Sequence, residues 1–434
     1  MIYGGDGLAR LPADDRGPGK AVFVPFVLSG EQIEAAVKEE KPGYVRARME
    51  SILRASPHRV APRCSYFGGC GGCHYQHASY EHQLGVKVDI LRESLRRFAK
   101  LDLLCEIEVH PSPPWNYRNR SRLQIQVQPE FAAGYFKLGS HELMAVEQCP
   151  ISSPLINRGI SELWLSARAG KVAQAVCEIE FFANAGDTRL LLEIFCAREA
   201  RRAAVRAWAE ELRAALPEIA GVVAFRSAQA GTRPAPPEQI LALGESSLTY
   251  ETQLASYRVS SGAFFQTNQH LIDELVKIVT HGQHGELALD LYAGVGLFST
   301  ALAGDFHHIV AVESSQRSAG DLVYNLGSKG EVIQASVEQY LARLQKERSG
   351  KGRVFTHSPD LAVVDPPRNG LGERVARMLA NLGAPRLTYV SCDPATLARD
   401  LVPLLAAGYH VEQAHLVDLF PQTYHLETVL HLVR

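Results

Sequence analysis

Hydrophobic and polar positions follow three successive patterns along the chain. Up to about residue 55, short apolar runs at residues 21–27, 32–37 and 44–52 lie between turn-forming residues and predict β-strands. Between about residues 59 and 255, strand patterns alternate with amphipathic helices, the clearest at residues 80–98. From Tyr257 onward, apolar strands are each followed by a helical pattern, which is typical of a doubly wound parallel sheet.

These patterns predict an α/β protein with three domains. Residues 1–58 form a small β module, residues 59–255 a central α+β domain, and residues 256–434 a Rossmann-like domain. Part of residues 79–125 is expected to pack on this last domain. Residues 230–238 are rich in proline and glycine and are predicted to form an exposed loop.

Composition is that of an ordinary globular protein, with 46% hydrophobic and 21% charged residues in 434. The first residues have neither a basic nor an apolar segment of the kind that directs export, and no uncharged apolar run approaches the roughly 18 residues that span a bilayer. We therefore expect a cytoplasmic protein that acts as a monomer and has no membrane partner.

Net charge is only −2, so binding to nucleic acid would depend on local basic patches. One patch includes Arg46 and Arg48, with Tyr44 beside them, and suits contact with RNA phosphates and bases. A second begins at Trp115, where Arg118, Arg120 and Arg122 alternate and so share one strand face. Each patch could instead be an ordinary solvated surface.

Three of the eight cysteines lie close together. Cys64, Cys70 and Cys73 are separated by five and two residues, with glycines that let the backbone wrap closely around a metal centre. Cys149, which precedes a proline, is the candidate fourth ligand. Spacing alone leaves an iron–sulfur cluster and a zinc site equally open, and His74 or His77 could serve zinc.

Acidic residues and glycines follow three consecutive predicted strands of the last domain. Asp290, Tyr292, Gly294 and Gly296 follow the first strand, and this spacing is not the dinucleotide fingerprint. Glu313 ends the second strand, where a carboxylate can accept both hydroxyls of a ribose. The arrangement favours S-adenosylmethionine as cofactor, and Asp365 ends the third strand within Asp-Pro-Pro-Arg.

Cys392 follows the next strand and directly precedes a helix that opens with Pro394. A helix N-terminus lowers the pKa of a nearby thiol, so a reactive nucleophile is expected here, although a small buried cysteine is the plainer alternative. Glu427 opens the final strand and, taken alone, would be an ordinary surface carboxylate.

Together these motifs resemble the RNA (uracil-C5)-methyltransferases that depend on S-adenosylmethionine, specifically the iron–sulfur members that modify 23S ribosomal RNA. The resemblance covers nearly the whole chain. It implies that residues 4–63 form a TRAM domain, an RNA-binding β-barrel that lacks its usual first strand. It also implies that Cys64, Cys70, Cys73 and Cys149 hold a [4Fe–4S] cluster.

The resemblance further assigns the catalytic roles. Residues 261–268 match a family signature in which Gln266 contacts cofactor and uracil, with Phe265 as an RNA contact. Cys392 matches the nucleophile that adds to C6 of uracil, and Glu427 the base that removes the C5 proton. The chain departs from the family pattern at Leu297, Asp393 and Gln422, none of which is a catalytic group.

Three other functions remain possible at this point. A transfer-RNA T-loop methyltransferase would share the catalytic core. A non-catalytic RNA-binding protein with a cluster would explain the basic patches but not the pairing of Cys392 with Glu427. A redox iron–sulfur protein would leave Asp290 and Glu313 unexplained.

Overall fold

A computed structural model describes residues 1–13, 19–226, 237–349 and 358–434. Most of the predicted loop at residues 230–238 lies outside these ranges. Within the described ranges the strands form four sheets, of four, seven, two and eight strands.

The N-terminal sheet has the order β1-β2-β4-β3. The predicted strands are present, and the described pairing ends at β1 on one side and at β3 on the other, so the module is observed as a four-stranded sheet. A small core of Val24, Val27 and Ala47 stabilises it. The strands are β1 (Asp6–Arg10), β2 (Ala21–Pro25), β3 (Gln32–Glu40) and β4 (Tyr44–Arg54).

The central sheet is mixed, with the order β12-β11-β10-β9-β6-β7-β8. Helices α2 (Pro154–Arg168) and α3 (Arg202–Ala215) pack against it. A separate hairpin of β13 (Ser247–Glu251) and β14 (Ser256–Ser260) follows. The sheet strands are β6 (Arg120–Gln126), β7 (Ala132–Phe136), β8 (Leu143–Ala145), β9 (Val176–Ala183), β10 (Leu190–Cys196), β11 (Ile219–Arg226) and β12 (Glu238–Gly244).

The largest sheet has the order β17-β16-β15-β18-β19-β21-β20-β5. Its first five strands are parallel, β21 runs antiparallel to both of its neighbours, and β5 pairs in parallel with β20. The strands are β5 (Ile107–His110), β15 (Gly285–Leu291), β16 (Phe306–Glu313), β17 (Glu331–Gln334), β18 (Leu361–Val364), β19 (Arg386–Ser391), β20 (His410–Val417) and β21 (Glu427–Val433).

Helices cover both faces of this sheet, as the doubly wound pattern predicts. Because successive strand residues point to opposite faces, Leu289 packs in one apolar core and Ala288 in the other. The helices are α1 (Tyr80–Ser94), which continues as a π-helical turn (Leu95–Ala99), α4 (Ile272–Thr280), α5 (Leu297–Leu302), α6 (Gln316–Leu326), α7 (Val337–Ser349), α8 (Gly372–Leu382) and α9 (Pro394–Ala406). No described helix is both long enough and apolar enough to cross a membrane.

Two elements that precede residue 256 belong structurally to the large sheet. Strand β5 forms its edge, and α1 packs against α9. Lys87 of α1 forms an ion pair at 2.6 Å with Asp418, which follows β20, and neither side chain is exposed. Tyr80 also donates a hydrogen bond to Asp418 at 2.9 Å. This pair fixes the central segment to the loop that leads into β21.

We predict that Lys87→Met strongly destabilises the protein. The substitution preserves the apolar stem but leaves the Asp418 carboxylate buried without its counter-ion, which typically costs about 3–5 kcal/mol of unfolding free energy. Chemical denaturation followed by circular dichroism measures the change.

Lys20→Met provides the matched control. Lys20 contacts Glu40 at the same 2.6 Å, but the two side chains are 34% and 59% exposed. Because surface ion pairs contribute little, the denaturation midpoint of this variant should stay close to that of the wild type. Equal effects of the two substitutions would contradict the role given to the buried pair.

Candidate active site and thiol cluster

Cys392 and Glu427 lie side by side at the ends of adjacent strands. Ser391 of β19 pairs with Thr428 of β21, so Cys392 and Glu427 are the next cross-strand neighbours. Electrostatic interaction links the two side chains, and Asp365 at the end of β18 interacts with both. The predicted nucleophile and base therefore meet at the carboxyl edge of the sheet, where open α/β sheets bind ligands.

The expected lowering of the Cys392 pKa is not observed. Burial, followed by Glu427 and Asp365, raises the pKa of this thiol to about 12, and only the Arg368 guanidinium opposes them among its main interactions. The Asp393 carboxylate also accepts hydrogen bonds from the backbone N–H groups of Ala395 and Thr396 and caps the helix, so these amides are not directed at the thiol. The thiol is consequently protonated before substrate binds.

Glu427 is a carboxyl group with a strong affinity for a proton. It is buried, and burial together with Asp365 raises its pKa well above the ordinary value. Burial and Asp290 likewise raise the pKa of Asp365. Such neighbouring carboxyls cannot all be ionised at once, so this edge of the sheet can accept and hold protons.

The glycine turn after β15 forms an open cradle beside these groups. Gly294 and Gly296 have positive φ angles of 57° and 95°, and a Cβ atom on Gly296 would lie 2.7 Å from Leu322. The Glu313 carboxylate accepts hydrogen bonds from the N–H groups of Gly294 and Ser315. Tyr292 also has a positive φ of 67°.

Asp290 is fully buried beneath this turn. One carboxylate oxygen accepts from the backbone and hydroxyl of Ser299, while the other, Oδ1, is buried without a hydrogen-bond partner. Burial raises the pKa of Asp290 to about 6. The cradle, the Glu313 carboxylate and the unpartnered oxygen fit a ligand with a ribose and a cationic group, as S-adenosylmethionine has.

The loop at residues 261–268 is held on its central-domain side by charged groups. The Glu193 carboxylate accepts from the Gly262 N–H at 2.6 Å, and Arg120 donates to the Ala263 carbonyl at 2.8 Å. Gln266 is 7% exposed, and Phe265 packs against Tyr250 and Tyr257. The loop is thus fixed before any ligand binds.

Phe265 does not lie where RNA could stack on it, because it is 2% exposed. The exposed ring of this loop is that of Phe264, at 61%. Phe264 and Phe265 are adjacent in the chain, but one ring points to solvent and the other into the core. Sequence reasoning missed Phe264, since a Phe-Phe pair does not reveal which ring is buried.

Two arginines of the second basic patch, Arg120 and Arg122, have intramolecular partners. Arg122 forms an ion pair with Glu180 at 2.7 Å and lies over the Phe195 ring, and Arg120 lies over Phe182. Arg118 lines the thiol cavity described below. Arg46 and Arg48 also lie near carboxylates, Glu39 at 3.8 Å and Glu50 at 2.6 Å, but their side chains are 62% and 63% exposed and can still reach a polyanion.

The loop at residues 418–426, which precedes Glu427, is bound by the chain that follows Cys73. The N–H groups of His74 and Tyr75 both donate to the Gln422 carbonyl at 2.9 Å. The Gln83 side chain also donates to Gln422 Oε1 at 3.1 Å and accepts from the Gln422 backbone N–H at 3.0 Å. Gln422, a departure from the family pattern, therefore has a structural partner of its own.

Tyr3 is a second residue near the site that sequence reasoning missed. Its ring makes an edge contact with Tyr424, with centroids 5.3 Å apart, and its hydroxyl lies 3.5 Å from the Cys392 carbonyl. Burial and the nearby Asp393 raise the pKa of Tyr3. A tyrosine near the chain start has no sequence signal that links it to a site almost 400 residues away.

Four cysteines line one cavity of about 70 Å³ at the junction of the central sheet and the preceding loop. They are free thiols, and burial raises the pKa of Cys73 to about 12 and, less strongly, the pKa values of Cys64 and Cys70. In the described residues, no three of these sulfurs lie within 4.8 Å of one another. The cysteines are Cys64, Cys70, Cys73 and Cys149.

Sulfur ligands of a single tetrahedral zinc would be about 3.8 Å apart. The wider separation fits a polynuclear centre better, because metal atoms then lie between the thiols. Gly72 lines the cavity, and a Cβ on Gly72 would lie 3.5 Å from the Cys70 sulfur. The Gly72 N–H donates to that sulfur at 3.4 Å, as amides do around iron–sulfur clusters.

Comparison with known proteins places the chain among RNA-modifying enzymes. The family model for tRNA (uracil-5-)-methyltransferase matches residues 79–434. An RNA methyltransferase of Streptomyces avermitilis is 33% identical over 99% of this chain and 95% of its own length. A 23S rRNA (uracil(1939)-C(5))-methyltransferase of Pseudomonas fluorescens is 31% identical over 97% of this chain and 92% of its own.

The fold also matches a solved structure. The tRNA (uracil-54, C5)-methyltransferase of Pyrococcus abyssi, in complex with S-adenosyl-L-homocysteine, superposes with a TM-score of 0.74 over 99% of this chain and 100% of that chain, at 24% identity. The likeness confirms the mixed α/β methyltransferase fold. The match of the family model to more than three quarters of the chain, together with relatives above 30% identity along nearly all of it, shows that this protein belongs to the tRNA (uracil-5-)-methyltransferase family of RNA methyltransferases.

Proposed function

We propose that this enzyme methylates C5 of a uridine in 23S ribosomal RNA by transient covalent attachment of the base to Cys392. The observation that supports this most directly is the cross-strand pairing of Cys392 with Glu427 beside the glycine cradle. A thiol and a proton-accepting carboxyl are the two groups that substitution at C5 requires.

The cofactor would be held by the edge formed from β15, β16 and β18. Glu313 would accept the ribose hydroxyls, and the turn from Tyr292 to Gly296 would admit the methionine part. Asp290, Asp365 and Gln266 would line the reacting end. When bound, S-adenosylmethionine supplies the methyl group that is transferred to C5.

Cys392 begins the reaction by adding to C6 of the uracil. The thiol first passes its proton to solvent water, which leaves Glu427 free for the later C5 proton, and Arg368 favours the resulting thiolate. The new S–C6 bond moves an electron pair toward C5, which then accepts the methyl group. Glu427 removes the remaining C5 proton, and that electron pair restores the C5–C6 double bond while the S–C6 bond breaks.

The target base must leave its stack to reach Cys392, because the thiol lies at the buried edge of a sheet. Phe264 is exposed on the loop that also holds Gln266, and it offers a face for stacking on an unstacked base. Arg46 and Arg48 on the N-terminal sheet would contact RNA phosphates farther from the reacting base.

The four-cysteine cavity would hold a [4Fe–4S] cluster with a structural role. Cys73 directly precedes His74 and Tyr75, whose N–H groups bind the loop that leads to Glu427. The cluster would therefore hold in place the segment that binds the loop before Glu427, the proposed base. We favour a ribosomal target because the Pseudomonas fluorescens relative is named as a 23S rRNA methyltransferase. Transfer RNA is the alternative substrate, since the family model carries that name.

Trapping with 5-fluorouridine tests the nucleophile and the substrate together. We expect the wild type, with S-adenosylmethionine and 5-fluorouridine-substituted 23S RNA, to form a covalent adduct that resists denaturing electrophoresis, because fluorine cannot leave as a proton does. Cys392→Ala should form none. Cys177→Ala, which removes an exposed thiol, should form it normally.

The same assay separates the base from the nucleophile. Glu427→Gln should attach to unsubstituted RNA yet fail to release it, and methyl turnover should fall by about 10²-fold or more. Normal turnover by Glu427→Gln would contradict the role of Glu427. Adduct formation with substituted transfer RNA, and none with 23S RNA, would assign the alternative substrate.

Cys149→Ser is predicted to lower the bound iron and acid-labile sulfide of anaerobically purified protein, because it removes one of four ligands. Cys105→Ser, which lies outside the cavity, should leave both unchanged. Wild-type protein that contains zinc and no sulfide would contradict the cluster and leave the methyl-transfer proposal standing.

A further inference from the structure

We propose that Glu108, His110 and His415 form a second metal site, which binds a divalent transition-metal cation such as Zn²⁺. In the described part of the chain, these three residues form the group whose possible ligand atoms all lie within 4.8 Å of one another. They belong to β5 and β20, at the edge of the large sheet. None of them takes part in the proposed reaction.

The spacing of the donor atoms matches tetrahedral coordination. His110 Nε2 lies 3.1 Å from His415 Nδ1 and 3.7 Å from Glu108 Oε1, and His415 Nδ1 lies 3.5 Å from Glu108 Oε2. Zinc bonds of about 2.0–2.1 Å at tetrahedral angles place nitrogen and oxygen ligands about 3.3 Å apart. The three distances lie on either side of that value.

Glu274 of α4 orients the first histidine. His110 Nδ1 lies 3.0 Å from Glu274 Oε1 and can donate its proton to that carboxylate. The Nε2 lone pair then points toward His415 and Glu108. A carboxylate that bonds the distal nitrogen of a metal-binding histidine is the usual second layer of zinc sites.

Burial and access also fit a bound cation. His110 and His415 are 9% and 8% exposed, while the Glu108 side chain is 68% exposed. The sheet thus fixes the positions of the two imidazole rings. The exposed Glu108 side chain leaves a path for a cation from solvent and room for a water molecule as the fourth ligand. Imidazole and carboxylate donors suit zinc.

Without a metal, the same atoms can form a hydrogen-bonded chain, in which His415 Nδ1–H donates to His110 Nε2. In that arrangement the Glu108 carboxylate lies within 3.7 Å of both imidazoles but is not part of the chain. A cation replaces the shared proton and engages all three residues. It also joins the central segment, which contributes β5, to β20 of the catalytic sheet.

Equilibrium dialysis of the intact protein, with its cysteine site loaded as purified, against micromolar Zn²⁺ tests the proposal. We expect the wild type to bind one more equivalent of zinc than His415→Gln, with a rise in thermal midpoint that the variant lacks. Glu108→Gln, at an exposed position that should not disturb folding, should weaken binding roughly tenfold or more, and Glu274→Gln by about 10–100-fold.

Cobalt identifies the donors. Co²⁺ at this site should give the visible bands of a nitrogen and oxygen environment, without the intense near-ultraviolet absorption of cobalt–thiolate bonds. His308→Gln is the matched control, because His308 and Glu331 form an exposed pair 4.0 Å apart at the other edge of the sheet. Equal zinc binding by the wild type, His415→Gln and Glu108→Gln would overturn the proposal.

Discussion

The active site depends on a buried contact between two segments that are more than 300 residues apart in sequence. Lys87 and Asp418 form an ion pair with no exposure to solvent, and the Gln83 side chain forms two hydrogen bonds with Gln422. Such groups are costly to bury singly, so each segment is ordered only when the other is in place. Because the loop at residues 418–426 leads directly into Glu427, this contact fixes the position of the proposed base.

This dependence explains why the domains do not divide cleanly along the chain. The thiol segment, α1 and β5 precede residue 256 in sequence, but they support the carboxyl edge of the catalytic sheet. The proposed zinc site lies where β5 pairs with β20. A metal there would join the central segment to the catalytic sheet in addition to the apolar core that they share.

Much of the site was predictable because a parallel sheet brings the ends of its strands together. Strand-end residues such as Asp290, Glu313 and Asp365 could therefore be grouped from sequence alone, and the family fold is confirmed. The predictions that were wrong, a lowered pKa of Cys392 and an RNA contact at Phe265, depend on atomic detail. The pKa of Cys392 is raised and not lowered, because burial and the carboxyls of Glu427 and Asp365 outweigh the helix N-terminus. Which of two adjacent phenylalanines is buried depends on tertiary packing. Tyr3 and His415 join their sites only through long-range pairing.

Release of tritium from RNA that contains [5-³H]uridine tests the central claim most directly, because only substitution at C5 liberates that hydrogen. With S-adenosylmethionine, the account predicts that each methyl group incorporated by the wild type is accompanied by one tritium released to water. Methyl incorporation without tritium release would show that another atom is methylated. The covalent mechanism through Cys392 and Glu427 would then be contradicted.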